Sequence, residues 1–267
     1  MIMKKYFALI LAAFYCLFAY GQTGTWKGKK AAVVLTYDDA LNVHLDNVMP
    51  LLDSLGLKAT FYLSAYSPGC RLRLDEWKKA ALKGHELGNH TLFHPCLGNQ
   101  PGREWVRGEN DMSKYTVARM VNEVKMTNVF LQALDGKTVR TFAYTCGDTK
   151  IGDSSFFDGL RNDFAAARGV KPAMHTIDKI DLVEIDCYGI NGETGEQLIG
   201  LVKQAMESNS LLVFLFHGVG GEHSLNVSLP AHRRLLQFLN QNEKEIWVAP
   251  MVDLSLYINQ WKKSKAQ

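Results

Sequence analysis

Two short polar clusters carry the chemistry of this chain: Thr36-Tyr37-Asp38-Asp39 closes one apolar run, and His90-Thr91-Leu92-Phe93-His94 closes another. One carboxylate and two imidazoles are the protein ligands of a hydrolytic Zn²⁺-type centre. Such a centre leaves a fourth position for water, and a neighbouring unligated carboxylate can act as base. Adjacent residues of an extended chain point in opposite directions, so a turn at Asp38-Asp39 is needed to aim both carboxylates into one site. His90 and His94, four apart, share a side on a single helical turn and can reach one ion. Pro95 disfavours helix at the residue before it, so the pair belongs to one turn or a loop. Read separately, the Asp pair is also a good cap and His-x-x-x-His is a common spacing; the two together make the metal reading strong.

His217 ends the run Leu211–Phe216 and opens into Gly218-Val219-Gly220-Gly221. An imidazole emerging there titrates near neutral pH and suits a general acid, while the competing reading is a core histidine satisfied by a carbonyl. His85 falls at a strand start and reads as structural; His223 reads as a rim residue or a solvated loop histidine. The glycines lack the spacing and the Lys-Ser/Thr ending of a phosphate loop.

The elements that must position these groups alternate. Ala31–Thr36, Ala59–Leu63, His85–Asn89, Val139–Tyr144, Phe164–Ala167, Val183–Asp186, Leu211–Phe216 and Ile246–Ala249 read as strands. Val43–Leu55, Asp75–Leu82, Thr116–Leu134, Glu196–Glu207 and Ala231–Asn240 read as helices. Some eight strands alternating with helices predict an α/β fold with a parallel sheet, and their number favours a barrel over an open sheet. All the polar clusters then lie at the carboxyl ends of strands, on the face where barrel enzymes work. Gly98–Lys114, rich in Gly, Asn and charge, reads as a long surface loop.

Thr36-Tyr37-Asp38-Asp39 resembles the first motif, Thr-Phe-Asp-Asp, of the polysaccharide deacetylases with a NodB-homology domain, carbohydrate esterase family four. His90-Thr91-Leu92-Phe93-His94 resembles their second, His-Ser/Thr-x-x-His, and Leu215-Phe216-His217 their last, Leu-x-His. The likeness spans about residues 31–250 and implies a distorted (β/α) barrel of seven or eight parallel strands. It also implies Asp38 as base, Asp39, His90 and His94 as metal ligands, His217 as acid, and Leu215 against the acetyl methyl. Zn²⁺ is the first choice of ion, with Co²⁺ or Ni²⁺ also accommodated by this donor set. The third motif, Arg-x-Pro-Tyr-Gly or close to it, is altered here to Ala143-Tyr144-Thr145-Cys146-Gly147. The arginine that tunes the base is missing, and Arg140, three residues away on a strand, faces the other side. An oxyanion donor from the main chain near Cys146 survives any side-chain change, and Tyr144 and Cys146 join Leu215 as expected substrate-binding residues. The fourth motif, Asp followed by Trp, is degraded; Asp186 is the candidate for its aspartate, with Asp178 and Asp181 as rivals. The implied activity is removal of N- or O-acetyl groups from a poly- or oligosaccharide. The alternative is a catalytically impaired carbohydrate-binding member of the same fold.

Lys4 and Lys5 precede an apolar stretch from Tyr6 to Tyr20, and Ala19-Tyr20-Gly21 offers small residues for cleavage, so residues 1–21 read as an export signal. A membrane anchor competes, but the stretch is shorter than the roughly 20 apolar residues of a spanning helix. The remainder, 22–267, reads as one exported catalytic domain, periplasmic or extracellular and without stable membrane insertion. Removal of Lys4 and Lys5 takes the formal charge from +3 to +1, which excludes an electrostatic case for nucleic acid. Cys70, Cys96, Cys146 and Cys187 then remain; an oxidising compartment permits three full pairings, and burial as small hydrophobes competes with each of them.

Overall fold

Strand β1 (Ala31–Asp38) is buried along its whole length and forms the spine of the sheet. Its two-residue period divides two cores. Ala31, Val33, Leu35 and Tyr37 join the larger cluster, with Leu198 and Val202 of one outer helix and Leu235 and Leu239 of another. Ala32 and Val34 join a second cluster with Val213, Leu215, Met251, Leu254 and Ile258. Asp38 shares the parity of Val34 and so faces the interior. The structure, a computed structural model, describes residues 25–266, and the expected export signal lies outside them. Among the described residues no helix is long and apolar enough to cross a membrane.

Among the described residues the main sheet has eight parallel strands: β1, β2 (Thr60–Leu63), β3 (Glu86–Asn89), β4 (Phe142–Ala143), β5 (Ala167–Arg168), β6 (Tyr188–Gly189), β7 (Leu211–Phe216) and β8 (Ile246–Val248). Their order is β5-β4-β3-β2-β1-β7-β6, with β8 beside the first residues of β1. Ile185 bridges Arg168 at one end of this row, and Tyr188–Gly189 pairs with β7 at the other. One short segment thus touches both ends, and the sheet curls into the distorted (β/α) barrel that the resemblance implies.

Helices α1 (Met49–Ser54), α2 (Leu74–Leu82), α3 (Val117–Asp135), α4 (Gly195–Glu207), α5 (Leu229–Gln241) and α6 (Met251–Lys265) surround it. Thr116 caps α3 and Gly136 ends it in the left-handed conformation; a capping box of Thr194 and Gln197 starts α4. The helix expected over Val43–Leu55 is instead a π-turn, His44–Val48, running into α1. Pro50 has no N–H to return to the preceding turn, and the Met49 N–H bonds back to His44 O. The strand expected over Val139–Tyr144 shrinks to two residues because Arg140 turns to pair with Asp135 and the Leu87 carbonyl. The strand expected over Val183–Asp186 is only the bridge at Ile185, pairing resuming at Tyr188.

Helix α6 was not foreseen, and its start explains a buried charge. Pro250 supplies no side-chain cap, and the N–H groups of Met251 and Val252 go to Thr60 Oγ1 and Glu86 Oε2, each at 2.8 Å. Glu86, 3% exposed, also accepts from the Thr60 and Thr141 hydroxyls and the Thr141 N–H. A strand carboxylate therefore caps a helix distant in sequence.

Two further histidines are sealed in the core. His232 bonds the Tyr37 hydroxyl at 2.8 Å, and the His44 Nε2–H donates to the His217 carbonyl at 2.8 Å. Burial pushes His232 down to about 3 and His44 to about 4. Unfolded, both titrate near the ordinary value of about 6.5, so between pH 6.5 and 4 the unfolded chain binds more protons and acid favours it. Together the pair is expected to cost about 3–4 kcal/mol of stability between pH 7 and pH 5. Urea titrations of metal-free protein at the two pH values measure this, and a flat profile would contradict neutral burial.

Candidate metal centre and active site

The ends of β1, β3, β4, β5 and β7 open into one cavity of about 830 Å³, whose wall includes Asp38, Asp39, His90, His94, Tyr144, Cys146, Leu215 and His217. The backbone turns sharply there. Of the eight described non-glycine residues with positive φ, five are Asp39, Ala40, Thr91, His94 and Cys146. Strain concentrated in this way is what it takes to aim adjacent residues at one point. At Asp39 (φ 77°) the chain leaves extended geometry, and both carboxylates enter the cavity.

His94 Nε2 lies 3.2 Å from Asp39 Oδ1, and His90 Nε2 lies 3.5 Å from the same oxygen. One ligand atom from each of Asp39, His90 and His94 lies within 4.8 Å of the other two. The His90 Nδ1–H donates to the Ala143 carbonyl at 2.9 Å, which fixes the tautomer that leaves Nε2 unprotonated toward the carboxylates. Asp39 Oδ1 is buried without a hydrogen-bond partner. A carboxylate oxygen orphaned beside two imidazole nitrogens fits a divalent cation, and the donor set suits Zn²⁺.

Asp38 is 2% exposed, and its partner is Arg168, fully buried, whose guanidinium donates to Oδ2. Arg168 also donates to the Gly169 carbonyl and lies 5.1 Å over the Tyr62 ring. Burial alone would raise the Asp38 carboxyl; the Arg168 guanidinium, helped by His90 and His217, outweighs it and holds the group below the usual carboxylate range. His217 Nε2 is 3.9 Å from Asp39 Oδ2, and its ring stacks on His223 with centroids 4.6 Å apart. Burial lowers its pKa, against the pull of Asp38 and Asp39.

Residues 26–154 match the family model described as polysaccharide deacetylase. Residues 26–154 carry a polysaccharide deacetylase domain. A Bacillus subtilis (strain 168) protein, the uncharacterized YlxY, is 30% identical over 140 residues, covering 52% of this chain and 36% of its own length; the chain thus spans about a third of that relative. A Mycobacterium smegmatis protein assigned to the polysaccharide deacetylases superposes with a TM-score of 0.61 at 13% identity, over 88% of this chain and 92% of the other. The Xyl-CE4 domain of a xylanase from the hindgut metagenome of Trinervitermes trinervoides gives 0.54 at 16% identity, over 84% and 89%. A mutant of BA3943, a CE4 family pseudoenzyme, gives 0.52 at 17% identity, over 85% and 67%. At these identities the structures speak for the fold.

The barrel brings together Asp38, Asp39, His90, His94 and His217, with Leu215, Tyr144 and Cys146 on the same cavity wall. The Tyr144 hydroxyl is spent on the Val183 carbonyl at 3.0 Å, so Tyr144 offers the cavity its ring. Asp186 is not brought to the site. It pairs with His175 at 2.7 Å in a separate cavity of about 260 Å³, because Ile185 and Cys187, not Asp186, turn into the core. Asp181 caps its own turn through the Val183 N–H, and Asp178 is exposed. No carboxylate takes up His217 Nδ1, which is buried without a partner.

The residue missed from the sequence is Arg168. In the β4–β5 pairing it lies opposite Ala143, the third-motif position that lacks arginine. Partners across parallel strands present side chains to the same face, so the guanidinium reaches Asp38 from one strand over. The signal was a lone arginine ending Ala165-Ala166-Ala167, since a charge in an apolar strand is kept only when paired. His44 was missed as well; its bond to the His217 carbonyl anchors the backbone of the expected acid.

Proposed function

We propose that this protein is an exported, metal-dependent carbohydrate deacetylase acting on N- or O-acetyl groups, with residues 22–267 as one catalytic domain. The observation that carries the reading is the convergence of Asp39, His90 and His94 beside an Asp38 that is held ionised by Arg168. A divalent ion held by Asp39, His90 and His94, Zn²⁺ first and Co²⁺ or Ni²⁺ otherwise, would supply Lewis acidity toward an acetyl carbonyl and acidify water. Asp38, outside the ligand set and ionised, accepts the proton of the attacking water. His217 donates to the departing amine or alcohol, and the burial that lowers its pKa makes its protonated form the stronger acid. Leu215, 5% exposed, lines the cavity with apolar surface for the acetyl methyl, and the main chain at Cys146 offers an oxyanion donor.

The binding-only alternative rests on the missing third-motif arginine, and Arg168 on Asp38 supplies the charge absent at Ala143. Acetate release from acetylated xylan, chitooligosaccharide and peptidoglycan separates the two. Release from at least one, abolished by chelation and restored by Zn²⁺, is expected. No release from any, with measurable glycan binding, would overturn the enzymatic reading.

A further inference from the structure

Cys96 and Cys146 form a disulfide between the segment just past His94 and the turn after β4, while the other two described cysteines, Cys70 and Cys187, are free and buried. The bridge lies on the far side of the His94 ring from the candidate centre: Nε2 faces Asp39 at 3.2 Å, and Nδ1 faces Cys96 Sγ at 3.7 Å. Ligand atoms of His94, Cys96 and Cys146 all lie within 4.8 Å of one another. An imidazole nitrogen and a thiolate sharing a tetrahedral Zn²⁺ at ordinary bond lengths stand about 3.6 Å apart. For Cys96 the nitrogen-to-sulfur spacing is therefore already that of a shared ion, while the sulfur–sulfur bond ties up both thiolates.

We infer that reductive opening of this disulfide creates a second metal site, His94 Nδ1 with the Cys96 and Cys146 thiolates, selective for a thiophilic ion such as Zn²⁺, Cd²⁺ or Co²⁺. A dithiol reductant supplies two electrons and two protons to the sulfur–sulfur bond and is itself oxidised to a disulfide. On coordination the two thiols, and Nδ1–H where Nε2 is already occupied, give their protons to bulk water. The sulfurs must then part to roughly 3.8 Å, the spacing of two thiolates on one tetrahedral ion.

The loops stay together without the bond. Arg103 donates to the Cys146 carbonyl at 2.8 Å and to Asp148 at 2.5 Å, Asp148 also accepts the Leu97 N–H at 2.9 Å, and Thr145 Oγ1 donates to the Pro95 carbonyl. Cys146 is half-buried on the wall of the large cavity, which gives reductant and ion a route and leaves room for water as the fourth ligand. His94 would then be shared between a hard site and a soft one, and the disulfide decides whether the second exists.

The test is Co²⁺ absorption of the purified protein before and after anaerobic reduction by a phosphine, with the reductant removed. With the Asp39, His90 and His94 site first filled by one equivalent of Zn²⁺, reduced protein is expected to gain an intense thiolate-to-cobalt band that saturates at one equivalent of added Co²⁺, absent from the oxidised protein and from the doubly substituted Cys96→Ser/Cys146→Ser protein. No band in reduced protein, unfolding on reduction as read by circular dichroism, or a band that persists in the double variant through Cys70 or Cys187 would each overturn the inference. The band is read without substrate, so failure of acetate release by oxidised protein bears on the deacetylase reading alone.

Discussion

Asp38→Asn is expected to lower turnover by about 10²- to 10⁴-fold while leaving bound metal unchanged, the loss typical of a general base removed from an intact site. The metal should stay because the converging ligand atoms belong to Asp39, His90 and His94, with Asp38 outside the set. Asparagine keeps the shape of aspartate but cannot accept the proton, so steric change contributes little. The substitution also leaves the fully buried Arg168 guanidinium without its carboxylate, and stranding one partner of a buried pair costs about 3–5 kcal/mol. Turnover, metal content and thermal unfolding therefore belong in one experiment. A folded, metal-replete Asp38→Asn protein that still turns over would remove Asp38 from the role of base.

The carboxylates and imidazoles of this site were legible because each lies in a contiguous segment at the end of an apolar run. Asp38 ends β1 and Asp39 follows it, His90 follows β3 and His217 follows β7, and barrel topology brings strand ends together whatever their distance in sequence. Strand Leu211–Phe216 was read to the residue, being six buried apolar positions bounded by polar ones. Arg168 was not legible, because what qualifies it is lateral register. Only the pairing of Ala143 with Arg168 shows that one strand carries the charge its neighbour lacks.

Asp186 was misplaced for a related reason: it sits where an alternating strand would deliver it, but that segment pairs only at Ile185, and the aspartate turns to His175 instead. The disulfide also needed the fold. Cys96 and Cys146 are 50 residues apart, and their meeting follows from the neighbouring ends of β3 and β4.

Arg168→Met is expected to destabilise the fold by about 3–5 kcal/mol, since it leaves a carboxylate that is 2% exposed without its cation. It should also move the acid limb of the activity profile. With the guanidinium gone, burial is the dominant influence on Asp38 and pushes its pKa up, so the base is protonated at pH values where it is now ionised. The rate therefore falls most at low pH and recovers in part as pH rises, which a merely structural lesion would not produce. The strand register supplies the rescue. Ala143→Arg in an Arg168→Ala background returns a guanidinium from the strand next door, pointing to the same face. If the charge is what matters, the double variant recovers both stability and the position of the acid limb relative to Arg168→Ala. If it recovers neither while remaining folded, the contribution of Arg168 lies in its packing against Tyr62 and the Gly169 carbonyl, and its assignment as the residue that sets the base is wrong.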